Sequence, residues 1–135
     1  MPDMKKELPK PTDAELILLS VLWRRGPSTV REIHESLPDA GTGYTTTLKI
    51  LQKMTEKGLV TRDESQRSHV YSVAASAEQT QRQLLRDLLR RAFEGSPARL
   101  VMQALAAEPA SAEELAAIRQ LLDDLEAQPR KGPKQ

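Results

Sequence analysis

The sequence predicts a mainly α fold with a small β-wing, and three observations carry that prediction. Capping boxes mark three helix starts: Thr12-Asp13-Ala14-Glu15, Thr29-Val30-Arg31-Glu32 and Ser111-Ala112-Glu113-Glu114. After Gly58 the apolar period changes from that of a helix to that of a strand, and it turns helical again near Ala77. Three short helices followed by a strand pair is the order of a winged helix-turn-helix, and a plain three-helix bundle has no need of the hairpin.

The elements follow in order. Residues 1–11, rich in Pro and Lys, read as a flexible N-terminal tail. The first helix opens at Thr12 and carries Leu16, Leu19, Ser20 and Trp23 on one face. Ile17, Leu18, Val21 and Leu22 thicken that stripe, and Gly26-Pro27 ends the helix. The second helix opens at Thr29 with Val30, Ile33 and Leu37 at helical spacing, and Pro38 to Gly43 is a loop. A third helix from Tyr44 to Lys57 turns Thr47, Ile50, Leu51 and Met54 inward and stops at Gly58. Leu59 to Arg62 is a strand, Asp63 to Ser68 a polar turn, and His69 to Val73 the return strand. A winged helix-turn-helix domain over 12–75 is the expected result.

Beyond it, residues 76–127 read as three amphipathic helices. Leu84, Leu85, Leu88, Leu89 and Ala92 form the first apolar face, which ends at Phe93-Glu94-Gly95. Ser96-Pro97 opens a helix with Leu100, Val101, Ala104 and Leu105, broken at Glu108-Pro109. Ser111 opens the last, with Leu115, Ile118, Leu121, Leu122 and Leu125. Such short helices have little to pack on except each other or a second chain, so residues 76–127 are expected to form a homodimer. The final residues, 128–135, are basic and read as a disordered tail.

Composition excludes several classes. Aromatic residues make up only 3% of the chain, so the core must come from aliphatic side chains. With no cysteine there are no disulfides, thiolate metal sites or cysteine nucleophiles. His34 and His69 lie far apart without a carboxylate pattern beside them, so no metal or other cofactor is expected. The acidic pairs Glu113-Glu114 and Asp123-Asp124 lie largely off the apolar stripe and read as a solvated face. No Ser/His/Asp set, Gly-rich phosphate loop or carboxylate pair suggests an enzyme. Met1 to Thr12 lacks the apolar run of a secretory leader, and no stretch approaches a membrane helix. The cytoplasm is the expected location.

The chemistry concentrates between Gly43 and Val73. The third helix has a hydroxyl-rich start, Tyr44 to Thr47, and Lys49, Gln52 and Lys53 share one face. That suits a helix whose N-terminal end enters a DNA major groove, with the wing on the phosphate backbone. The net charge of +1 does not announce a nucleic-acid binder. Between Thr45 and Arg62, however, Lys49, Lys53, Lys57 and Arg62 face a single acid, Glu56.

The segments LPKPTDAELILLSVLW, STVREIHESL, YTTTLKILQKMTEKGLVTRD and HVYSV, in that order, closely resemble the BlaI/MecI penicillinase-repressor family. SPARLVMQAL and SAEELAAIRQLLDDLE resemble its dimerisation region, so the likeness runs from about Leu8 to Glu126. The resemblance implies a dimeric winged-helix repressor bound to an inverted-repeat operator, with the helix matching Tyr44 to Lys57 in the major groove. Thr45 and Thr46 would offer hydroxyls to phosphates or base edges. Lys49 would reach a base acceptor or a phosphate, Lys53 the backbone, and Arg67 near the wing tip a phosphate, with Tyr44 beside them. Plainer readings stand next to these: Thr45 as a helix cap, Tyr44 as packing on the first helix, Lys53 and Lys57 as solvated charges. A winged-helix module that binds protein rather than DNA is the alternative from another class.

Two departures bound the transfer. Copper-responsive relatives carry a Cys-rich C-terminal motif, which this chain lacks. Antibiotic-responsive relatives are cut at an Asn-Phe bond on signal from a membrane sensor metalloprotease. The matching position here is Gln103-Ala104, the candidate cleavage site.

Overall fold

The computed structural model describes residues 8–38 and 41–129. Residues 1–7 and 130–135 of the two expected tails, and residues 39–40 of the expected loop, lie outside the described residues. The elements are α1 (Asp13–Arg25), β1 (Ser28–Thr29), α2 (Val30–Glu35), α3 (Tyr44–Lys57), β2 (Val60–Asp63), β3 (Val70–Val73), α4 (Ala77–Ala92), α5 (Pro97–Ala107) and α6 (Ala112–Ala127).

All three capping boxes form, with reciprocal bonds of 2.8 to 3.2 Å at Thr12/Glu15, Thr29/Glu32 and Ser111/Glu114. Each satisfies two backbone donors that the helix start would otherwise leave open. Ser76 and Gln79 make a fourth box, at the start of α4, which the sequence reading did not single out. Gly58 closes α3 at φ 87, donating to the carbonyls of Met54 and Thr55, a left-handed cap that any side chain would strain.

The wing is larger than the expected two-stranded hairpin. The sheet has three antiparallel strands in the order β1-β3-β2, with Ser28 opposite Tyr71 and Thr29 opposite Val70. The cause is local: Thr29 must be extended (φ −79, ψ 167) to cap α2, so it and Ser28 are already set to pair. A two-residue strand has no period to show in a sequence. β3 thereby becomes the central strand, and Tyr71 on it is buried.

The core of this domain joins Leu18, Leu19, Val21 and Leu22 of α1, Ile33 of α2, Leu51 and Met54 of α3, and Leu59, Val60 and Tyr71 of the wing. The buried face of α1 is rotated from the expected stripe: Ser20 and Ile17 are exposed, and Leu16 and Trp23 only half-buried. The face runs Glu15, Leu18, Leu19, Leu22, so a carboxylate occupies one core position. Lys57 at the end of α3 answers it, with Nζ 2.6 Å from Glu15 Oε1. Burial pushes the Glu15 carboxyl up, but hydrogen bonds from Lys57 and Thr12 outweigh it and hold the group below the ordinary glutamate value.

Residues 8–11 are tied to the domain. Lys57 Nζ also donates to the Lys10 carbonyl, Lys10 pairs with Asp87 at 2.9 Å, and the Gln83 amide donates to the Leu8 carbonyl. The Trp23 indole donates to the Ala75 carbonyl at 3.2 Å. Contacts divide the chain within α4 into two compact units, residues 1–88 and 89–135. In the second, Ser96 caps α5 and Pro97 fills its first turn, yet neither α5 nor α6 buries a single residue.

Candidate nucleic-acid interface

α3 is held by one face and offers the other. Thr47, Leu51 and Met54 are buried, while Thr45, Thr46, Lys49, Gln52 and Lys53 are exposed. A shallow groove of about 420 Å³ runs along Thr46, Lys49, Gln52 and Lys53, with Glu56 its one acid. The N-cap is Gly43, with no side-chain bond to the first turn. Thr45 is therefore inside the helix and is not its cap, which removes the plainer reading of that residue. The first-turn amides keep the partial positive charge that favours an anion.

The register between α2 and α3 is fixed by polar contacts. Thr47 Oγ1 lies 2.9 Å from His34 Nδ1. The Tyr44 ring meets the His34 ring edge-on, with centroids 5.6 Å apart at 77°, and the Arg31 guanidinium lies 6.0 Å over the Tyr44 centroid. Tyr44 thus packs on α2. Lys57, read as a possible solvated charge, is instead the partner of Glu15. Lys53 remains exposed.

On the wing, Arg62 pairs with Glu64, and its guanidinium is raised by hydrogen bonds to Tyr71 and Glu64. The Asp63 carboxylate accepts from the Ser65 amide at 2.9 Å and is held below its ordinary value by that bond. Both acids at the base of the turn are engaged locally. Arg67 is exposed and makes no ion pair among the described residues. Between α2, the start of α3 and the wing lies a cleft of about 370 Å³ whose lining includes Thr29, Arg31, Tyr44, Arg67 and His69 and, among the described residues, no carboxylate. The sequence reading missed Arg31, which sits inside a capping box and is naturally read as part of one. It weighed His69 only as a metal ligand. Among the described residues no three His, Asp or Glu side chains gather as a metal site.

The expected dimerisation residues are distributed over both units. Leu84, Leu85 and Leu88 belong to the first, with Leu85 and Leu88 exposed and Leu84 half-buried. In the second, Leu89, Leu100 and Ile118 are half-buried while Val101, Leu115 and Leu122 are exposed. Gln103 and Ala104 are exposed in the interior of α5. No helix among the described residues is long and apolar enough to cross a membrane.

Comparison with known proteins adds three findings. The family model described as penicillinase repressor matches residues 11–124, from ahead of α1 into α6. The transcriptional regulator BlaI of Mycobacterium tuberculosis, from strains CDC 1551 / Oshkosh and H37Rv, is 33% identical over 117 residues, which cover 85% of this chain and 84% of the relative. A solution structure of the DNA binding domain of the repressor BlaI covers 56% of this chain and 93% of its own, at 25% identity and a TM-score of 0.48. The match of the family model over both units, with the 33% identical relative beside it, establishes that the chain belongs to the penicillinase repressor family.

Proposed function

We propose that this protein represses transcription as a cytoplasmic homodimer, binding an inverted-repeat operator with α3 in the major groove and the wing on the backbone. The observation that carries the reading is α3 itself. Its inner face is fixed by Thr47, Leu51 and Met54, and its outer face presents Thr45, Thr46, Lys49 and Lys53 to solvent. A rigid helix with placed hydroxyls and cations is what base and phosphate readout require. A dimer supplies two such helices to the two half-sites. With a net charge of +1, affinity rests on these few side chains and on pairing, not on a broad basic surface.

A gel-shift assay on the promoter region upstream of the protein's own gene tests the reading. Wild type should retard that duplex far more than an unrelated one. Lys49→Ala should weaken operator binding by about 1–3 kcal/mol if the ammonium reads a base. If it touches phosphate only, the loss should be equal on all duplexes, with a salt slope shallower by about one. Absence of any shift at low salt would leave the protein-binding module as the function. Release is proposed to follow cleavage at Gln103-Ala104 on signal from a membrane sensor metalloprotease. Because that bond lies inside α5, cutting requires local unwinding. Co-expression with the sensor and inducer should yield a fragment ending near Gln103, and an intact chain under full induction would exclude the route.

A further inference from the structure

We infer that the cleft between α2, the start of α3 and the wing seats one backbone phosphate of the bound duplex, gripped by Arg31 and Arg67. In this arrangement Tyr44 is a positioning residue for Arg31. The inference rests on the DNA-binding reading above and adds to it a site outside the outer face of α3.

Charge is the first argument. Arg31 of α2 and Arg67 of the wing both line the cleft, and among the described residues no carboxylate does. Among the described residues, Glu32 is committed to the capping box with Thr29, Asp63 to the Ser65 amide and Glu64 to Arg62. Glu35 reaches Arg31 only at 4.0 Å, in a pair whose side chains are 75% and 66% exposed, which solvent weakens. Two arginines on a cleft of about 370 Å³, with no carboxylate among its described lining, match a phosphodiester, whose non-bridging oxygens accept guanidinium N–H bonds.

Preorganisation is the second. The Arg31 guanidinium lies over the Tyr44 ring, and that ring in turn meets the His34 ring in a T-shaped contact. A guanidinium within cation–π reach of an aromatic ring is drawn toward it while its N–H donors stay free. His69 lines the same cleft and is exposed. Tyr44 and Leu48, also on the lining, belong to α3 and are the chain neighbours of Thr45 and Lys49. A phosphate held there sets the depth and register at which the outer face of α3 meets the bases, without itself carrying sequence information.

The test is a comparison of Arg31→Gln, Tyr44→Phe and Tyr44→Ala with wild type on the operator and on an unrelated duplex. Arg31→Gln should weaken both duplexes by the same factor, about three- to tenfold near 0.1 M salt, with a salt slope shallower by about one. Tyr44→Ala should match Arg31→Gln, and Tyr44→Phe, which keeps the ring, should recover the greater part of that loss. Single methylphosphonate substitutions along the operator should reveal one phosphate whose neutralisation weakens wild type but weakens Arg31→Gln no further. Undiminished binding of both duplexes by Arg31→Gln overturns the inference, as does a loss confined to the operator. If wild type still binds the operator and Lys49→Ala still weakens it, the repressor reading survives that outcome. If wild type binds no duplex, both fall.

Discussion

Residues 13–73 and residues 97–127 are both built from short amphipathic helices with well-made caps, yet only the first stretch closes a core. Leu19, Ile33, Leu51, Met54 and Tyr71 are at most 2% exposed. In α5 and α6, by contrast, Met102, Leu121, Leu122 and Leu125 are each more than half exposed. The difference is one of partners rather than of helix quality. The winged-helix domain has a sheet to cover its three helices, and α5 and α6 have no sheet. Full burial of each leucine or methionine is worth about 1.5–3 kcal/mol, so an apolar surface left open on this scale marks a contact site. We propose that a second copy of the chain covers it.

The largest effect that would sharpen the contrast is a cavity in the closed core. Leu51→Ala, at a fully buried position on α3, should cost about 2–5 kcal/mol of unfolding free energy. The single tryptophan, Trp23, lies on α1 and reports on that domain alone, so urea titration of its fluorescence measures the loss. A change below about 1 kcal/mol would mean that this core is looser than its burial implies.

The second effect should fall on the other unit. Leu122→Asp places a charge on the open face of α6 and should weaken self-association by about 2 kcal/mol or more, roughly thirtyfold or more in dissociation constant. Sedimentation across a concentration series reads the change, and the Trp23 transition should stay where it was at high protein concentration. If wild type sediments as a monomer throughout, the open face belongs to some other partner and the dimer proposal fails.

The same contrast separates what was legible in the sequence from what was not. The three expected capping boxes, the Gly58 stop and the change of period at the wing are local, with all their atoms within a few residues, and sequence spacing displays them. The inward set on α3 was nearly right, with Ile50 half-buried where full burial was expected. Contacts that join distant residues were not legible. The strand Ser28–Thr29 exists only because Val70 and Tyr71 return beside it. Lys57 reads as a surface charge until the fold brings Glu15 to it. Arg31 becomes a candidate ligand-binding residue only when Tyr44 and the wing are in place. The polar face of α3 was legible because it is helical spacing and nothing more, and the cleft beside it was not, because three elements build it.

The smallest effect isolates Glu15, among the described residues the one buried charge of the closed core; in the open unit the pair Arg99–Glu94 is solvated on both sides. Glu15 is 4% exposed and is bound to Lys57 and to the start of its own helix. Glu15→Gln keeps an acceptor for the Thr12 amide and removes only the charge, so near neutral pH it should cost about 1–2 kcal/mol, discounted because Lys57 remains one-third exposed. The sign of the pH dependence follows from the depressed carboxyl. The stabilisation is fully present above the ordinary glutamate value and is lost as pH falls through the lower value of the folded state. Wild type and Glu15→Gln should therefore differ most at neutral pH and converge in acid, as read by urea titration at stepped pH. A gap that persists unchanged into acid would mean that shape and capping, not charge, make Glu15 the polar member of an otherwise apolar face.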